Sequence, residues 1–572
     1  MRFWKMLGIV LIFGLMPLRA SAQASDVDRM VERIVAQEKA EMQMLRQYSP
    51  LVETYIQLLR LDPTLGPQPA GDKYFLGKAQ LARGVALESF SDEQAAGPVR
   101  RKVDRVTDMF SFEFLPGGFL QMIYVDLNGF SQQNYRFDYV RREFLGDVRC
   151  LVFDVTPKAS AGKGRFMGRI WVEDQDFHIV RFNGAYNGSS RTDFYFHFDS
   201  WRILAGPQQW LPAYVYSEEG QVKYAVTRKL TFKSQTRLWG YNVGRAKQEQ
   251  ELGKIMVEAS LPVKDQAESD SDYSPLEAQR LWDLQAEDNV LDRMEGLGLL
   301  APRGEVDKVL ETVVNNLEVT NNLNIEPDVR CRVLTTSTLE SFAVGNTIVV
   351  SRGLIDVLPD EASLATLLAH ELAHIVLGHR IDTQYAFFDR MLFDEKDTFH
   401  HFGFRRTPEE EEAAATKGAE LLKNSPYKDQ LATPLLFIQA LQNRVKEIPN
   451  LISPHLGDPL PDNWAANASA TASGDSTPVA APAPANPQDK SIAALPLGGR
   501  VKMDPWNDEL TMLKTKPVAI MSERDKMPFE VTPFIPHLTR GDQMRSVEAA
   551  PAVGTQSSAN VGDVSDSSVS QK

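Results

Sequence analysis

The most reactive side chains are scarce in this chain of 572 residues, which holds two cysteines and nine histidines. Two cysteines cannot staple a disulfide-rich scaffold, and neither Cys150 nor Cys331 lies in a Cys-x-x-Cys pattern. In an oxidising compartment they form one disulfide or stay as two buried thiols, and the sequence leaves both open. Positive charge is also short: 62 Lys and Arg face 76 Asp and Glu, a formal net charge of −14. That balance makes the chain a poor candidate for nucleic-acid binding. After the first 22 residues no apolar run is long enough and free enough of charge to span a bilayer.

The first 22 residues themselves read as a signal peptide. Arg2 and Lys5 precede an apolar run from Met6 to Leu18, and Ala20-Ser21-Ala22 offers a small-residue cleavage site. No cysteine follows that site, which argues against a lipid anchor. Cleavage removes three basic residues, Arg2, Lys5 and Arg19, and no acid, so the charge moves by three units from −14 to −17. The expectation is an exported protein without a transmembrane segment, periplasmic, with secretion as the alternative.

About 550 mature residues imply more than one domain. Residues 23–99 are expected to be mainly helical, because Val27, Met30, Val31, Ile34 and Val35 form a stripe and Leu51 to Leu61 reads as a second apolar helix. Residues 100–262 read as an antiparallel sheet, curved or partly closed. Its strands include 119–125, 135–144 and 148–155, with Gly146-Asp147 as a turn, and further runs continue to Ser234. An acidic linker at 263–274 precedes a domain at 275–462. There Asn346–Val350 is a candidate edge strand for a substrate backbone, an ordinary core strand being the equal alternative. Residues 463–490 are Ala-, Ser-, Thr- and Pro-rich and read as a flexible linker. Residues 491–543 form a small module or an arm packed back on the preceding domain, and 544–572 a disordered tail.

The chemistry is concentrated in one stretch, Leu367 to His379, which contains His370-Glu371-Leu372-Ala373-His374. Leu364, Leu367, Leu368, Leu372, Ile375 and Val376 recur at helical spacing, so the run reads as a buried helix. Residues i and i+4 share a face. His370 and His374 therefore present two imidazoles to a single metal ion, and Glu371 offers a flanking carboxylate as general base. A catalytic zinc needs a third protein ligand. His379, nine residues after His370, projects to the opposite side of an ideal helix. His400 and His401 read as loop residues. A second helix starting at Thr407 is the better source. Thr407, Pro408 and Glu410 fit an N-cap, first position and capping-box partner. Glu411 shares a face with Ala415 and Gly418, small residues that allow close helix approach. Glu411 is the chosen third ligand, with Glu412 and Glu410 as alternatives.

With these segments in place, residues about 300–460 resemble the HtpX/BepA/Oma-type zinc metallopeptidases (family M forty-eight). The resemblance is carried by Glu340-Ser341-Phe342-Ala343, Ser351-Arg352-Gly353-Leu354-Ile355, the His370–His374 motif with His379, and the Glu-rich helix followed by Pro426-Tyr427. It departs where the family has Asn and this chain has Glu340, and where Ala415 replaces an Asp. Ser453-Pro454-His455 resembles a downstream family segment, which implies an oxyanion or switch role for His455. The run Phe144 to Val180 resembles periplasmic lipoprotein carriers of the LolA/LolB kind, which implies a concave surface for an acyl chain or an extended peptide. The expected fold is multidomain α+β: an antiparallel, half-barrel-like β domain, then a mainly helical zincin (gluzincin) domain with a small sheet. The expected activity is that of a zinc endopeptidase with one Zn²⁺ per chain, acting on protein or peptide substrates such as misfolded envelope proteins. The alternative is a client-binding chaperone or lipoprotein-carrier-like protein whose metal site is structural or idle.

Overall fold

The computed structural model describes residues 18–63, 66–83, 86–90, 116–127, 129–187, 196–206, 209–224, 228–241, 275–380, 404–453, 455–457, 501–503, 509–512, 531, 533 and 535–539. Most of the expected signal peptide, both expected linkers, His400, His401 and the expected tail lie outside them.

Helix α1 (Leu18–Leu45) leads into strands β1 (Leu51–Asp62), β2 (Gly66–Gln80) and β3 (Ala86–Ser89). A short helix, α2 (Pro116–Gln121), precedes β4 (Tyr135–Leu145), β5 (Val148–Pro157), β6 (Phe166–Glu173) and β7 (Ile179–Tyr186). Strands β8 (His197–Gly206), β9 (Gln209–Tyr224) and β10 (Arg228–Trp239) follow. All ten strands form one antiparallel sheet in the order β3-β2-β1-β10-β9-β8-β7-β6-β5-β4.

Two expectations are corrected here. Leu51–Asp62 is a strand rather than a helix, and it pairs with β10 from Leu51 opposite Trp239 and with β2 on its other side. The sheet therefore begins at residue 51 and not near residue 100. The reason is two-sided burial. Val52, Ile56 and Leu58 join the core on the α1 side, while Leu51 and Tyr55 join the core on the opposite side. A strand buried on both faces shows no alternation, so its apolar pattern does not distinguish it from a buried helix. The expected strand at 119–125 is instead the end of α2 and the turns after it, with Met122 N–H bonded to the Phe119 carbonyl. Phe119, Leu120 and Met122 to Val125 are all buried, which again removes any period-2 signal.

The two faces of the sheet have different partners. Val31 and Ile34 of α1, with Phe119 and Leu120, cover the face built from Phe153, Phe166, Phe182, Phe198 and Phe232. The other face, with Tyr55, Trp201, Trp210 and Trp239, is continuous with the core of the second half of the chain.

That half opens with α3 (Pro275–Gly296) and α4 (Glu305–Thr320). A three-stranded sheet follows: β11 (Arg330–Leu334), β12 (Ser341–Val344) and β13 (Thr347–Ser351). Then come α5 (Arg352–Val357), α6 (Glu361–Leu377), α7 (Pro408–Lys423), α8 (Ala432–Arg444) and α9 (Pro449–Ile452). The strand order is β11-β13-β12, so Thr347–Val350 is central and β12 is the edge. This corrects the expected edge strand at Asn346–Val350. Asn346 lies in the turn between β12 and β13, and all five residues of β13 are buried, as befits a strand flanked on both sides.

A buried carboxylate bolts the large sheet to this domain. Glu53 of β1, only 1% exposed, accepts hydrogen bonds from Ser337 N–H (2.6 Å), Ser337 Oγ (2.7 Å), Tyr74 Oη (2.9 Å) and Arg237 Nη1 (2.8 Å). Asp72 of β2 accepts from the backbone N–H groups of Asn450 and Leu451 at the start of α9. Described residues of the C-terminal stretch touch the rest of the chain. Val501 N–H bonds to Asp356 Oδ1, Val531 N–H to Gln57 Oε1, and the Leu538 carbonyl accepts from Asp147 N–H. Cys150 and Cys331 are both buried free thiols.

Candidate metal centre

Helix α6 is built to be buried. Asp360 caps its start by accepting from Ser363 N–H at 2.8 Å, and Gly378 ends it in the left-handed conformation at φ 71°. Every residue from Ala362 to His374 is buried. On this helix His370 and His374 stand one turn apart, their rings 4.9 Å between centroids and nearly perpendicular. Their Nε2 atoms lie 3.3 Å from each other.

Helix α7 brings the third group. Glu411 Oε2 is 3.2 Å from His370 Nε2, and its Oε1 is 3.3 Å from His374 Nε2. Gly418 makes this approach possible: a Cβ there would lie 3.1 Å from the Ala369 carbonyl oxygen and 3.2 Å from His370 Cα. The two alternatives separate cleanly. Glu410 closes the capping box with Thr407, and Glu412 is exposed. Burial by itself would push the Glu411 carboxyl up, but its hydrogen bonds to His370 and His374 bring it down to about 2.

The donor set fits a zinc ion. Two imidazole nitrogens and one carboxylate converge in a buried site, with one ligand atom from each within 4.8 Å of the others. Three protein donors is the number a catalytic zinc takes.

Glu371, 6% exposed, turns toward the edge strand, where Ser341 Oγ donates to its Oε1 at 2.6 Å. Glu340, in the position where the resemblance expects Asn, has a different duty. Its Oε2 accepts from His455 N–H (3.0 Å) and Leu456 N–H (2.9 Å), and its Oε1 from Thr338 Oγ1 (2.5 Å). The chain itself approaches both outward carbonyls of β12. Gly457 passes so close to the Ser341 carbonyl that a Cβ would come within 2.6 Å, and Arg406 Nη2 donates to the Ala343 carbonyl at 2.8 Å.

Two histidines differ from expectation. His455 is not brought into the cluster. Its ring lies 4.6 Å from that of Tyr74, and its Nε2 donates to the Asn450 carbonyl, so its partners belong to the interface with the large sheet. His379 does not project away from the site. Its Nδ1 is 2.9 Å from His374 Nδ1, on the side of the ring away from Glu411. The helical projection fails because Gly378 reverses the backbone one residue earlier. Burial, and then the neighbouring His374, hold the His379 pKa down. Sequence reasoning also missed Ser341 as a partner of Glu371, since nothing local links residues 30 apart.

Comparison with curated proteins returned no match. Residues 301–396 match the family model described as Peptidase family M48. That span holds α4, the three-stranded sheet and α6, and it stops short of α7. The stretch that carries His370, Glu371 and His374 is thus similar to peptidase family M48.

Proposed function

We propose that the chain is an exported zinc endopeptidase that cleaves misfolded or misassembled envelope proteins in the periplasm. The match of residues 301–396 to family M48 supports zinc-dependent hydrolysis of protein or peptide substrates. The observation that supports the hydrolytic part of this reading is the convergence of His370, His374 and Glu411 beside Glu371, which touches an edge strand.

His370, His374 and Glu411 would hold a zinc ion, which when bound would supply Lewis acidity to a water molecule and to a carbonyl. Glu371 is the base: its carboxylate takes a proton from the attacking water as oxygen bonds to the carbonyl carbon. It then delivers that proton to the leaving nitrogen as the C–N bond breaks. Glu411 would bind the zinc as a carboxylate, beside the two imidazoles. His379 orients the His374 ring from behind. The edge strand β12 aligns the substrate backbone once Gly457 and Arg406 give way.

The test is digestion of an unfolded casein-like protein by zinc-loaded residues 23–572, beside the Glu371→Gln variant. Cleavage by the wild type alone supports the reading. Equal cleavage by both, or by neither with one zinc bound per chain, overturns it.

A further inference from the structure

A cavity of about 380 Å³ opens at the end of β12 remote from Glu371. Its lining includes Leu284, Glu287 and Asp288 of α3, Asp328 and Arg330 at the entry to β11, and Val344, the last residue of β12. Asp288 is already neutralised by Arg330, whose Nη2 is 2.6 Å from its Oδ1. Glu287 and Asp328 leave the cavity with an excess of negative charge.

Glu287 is the decisive residue. It is 8% exposed, yet among the described residues its carboxylate accepts no hydrogen bond. Its Oε2 lies over Gly345 at the tip of the β12–β13 turn, where a Cβ would come within 2.0 Å, so no side chain at that position comes between Glu287 and the end of the edge strand. Burial raises its carboxyl above the usual range, Arg406 opposes that rise and Asp288 adds to it. Arg406 acts on Glu287 through its charge, while its Nη2 donates to the Ala343 carbonyl. A mostly buried carboxylate facing an acidic cavity is stabilised by a cation that enters that cavity.

We propose that this cavity is a binding subsite for a positively charged group of the peptide substrate, with Glu287 as its partner. The group is a Lys or Arg side chain or a free N-terminal ammonium. The inference rests on the peptidase reading of the neighbouring site. A peptide paired with β12 in the antiparallel sense, the more stable one, places residues N-terminal to the cleaved bond along Ser341 toward Val344. Three residues at about 3.3 Å each put the cavity about 10 Å from Ser341, so the charged group lies about three to five positions before the cut.

Two measurements test this on the zinc-loaded full-length mature chain. In the first, cleavage sites in an unfolded casein-like protein are mapped by mass spectrometry for the wild type and for Glu287→Gln. Lys and Arg are expected to be enriched about threefold or more at those positions for the wild type, and not for the variant, with Asp328→Asn intermediate. In the second, the Glu371→Gln protein is titrated with labelled alanine-rich decapeptides carrying one Lys or one Gln, each with an acetylated or a free N-terminus. The acetylated Lys peptide is expected to bind about tenfold more tightly than its Gln counterpart, a difference that vanishes in Glu287→Gln/Glu371→Gln. Preference for the free N-terminus alone assigns the cavity to the terminal ammonium. Equal binding of all peptides, or a preference that survives Glu287→Gln, overturns the proposal. Cleavage without charge preference defeats the subsite and leaves the peptidase, whereas charge-dependent binding without cleavage does the reverse.

Discussion

Ser341 Oγ donates a hydrogen bond of 2.6 Å to Glu371 Oε1, tying the edge strand to the proposed base across 30 residues of sequence. The bond fixes one carboxylate oxygen and leaves the other to meet a proton. Ser341→Ala removes the donor without adding bulk. We expect kcat to fall about tenfold with KM nearly unchanged, since a hydrogen bond to a charged group contributes about 1.5 kcal/mol or more. Ser341→Thr, which keeps the hydroxyl, should recover most of the loss. Steady-state kinetics on a quenched peptide checks this, and an unchanged kcat in Ser341→Ala would remove Ser341 from the mechanism.

Glu371→Gln keeps the size and burial of the side chain and deletes its basicity. Peptide cleavage is expected to drop by about a thousandfold or more. Zinc content, measured by metal analysis of the purified protein, should remain one per chain, because Glu371 is not among the three converging donor groups. Loss of zinc in this variant would show that Glu371 supports the metal rather than the proton transfer.

Three adjacent glutamates offer an internal control. Glu411→Gln should weaken zinc binding about a hundredfold or more, whereas Glu412→Gln, on the exposed face of α7, should leave it unchanged. Glu410→Gln should affect stability slightly through the capping box, by about 0.5–1 kcal/mol, and not the metal. Competition with a fluorescent zinc chelator ranks the three, and equal affinities for Glu411→Gln and wild type would reassign the third ligand.

The buried Glu53 network makes the large sheet and the peptidase domain one unit. Glu53→Gln leaves Arg237 buried without its counter-charge, and its amide accepts through one oxygen where the carboxylate uses two. A loss of about 3 kcal/mol is expected, the usual cost of removing one partner from a buried pair. Chemical denaturation followed by tryptophan fluorescence measures it. A loss below about 1 kcal/mol would show that the domains are held by their apolar contacts alone.

The distance between Gly418 and His370 explains why a small residue stands on α7. Gly418→Leu must push α7 away from the Ala369 carbonyl. We expect destabilisation of about 2 kcal/mol, typical of overpacking, together with reduced zinc affinity because Glu411 rides on the same helix. Thermal unfolding with and without zinc separates the two effects.

By itself the sequence determined what is local. The i, i+4 spacing of His370 and His374 puts two rings on one helical face whatever surrounds them. Thr407, Pro408 and Glu410 specify where α7 starts, and that start distinguishes Glu411 from the capping Glu410. The hairpins from β4 to β7 were legible because polar turn residues punctuate them. Tertiary structure decided everything that depends on burial from two sides or on contacts distant in the chain. Leu51–Asp62 became a strand because β2 and β10 flank it and cores cover both its faces, a condition that erases the pattern by which a strand is recognised. His379 returned to His374 because one left-handed glycine ends the helix on which its projection was drawn. The interface with the large sheet gave His455 its partners, Tyr74 and the Asn450 carbonyl. Ser341 and Glu287 gained their roles only when β12 was placed between Glu371 and α3, since hydrogen bonds and cavities are properties of proximity, and chain order does not encode proximity directly.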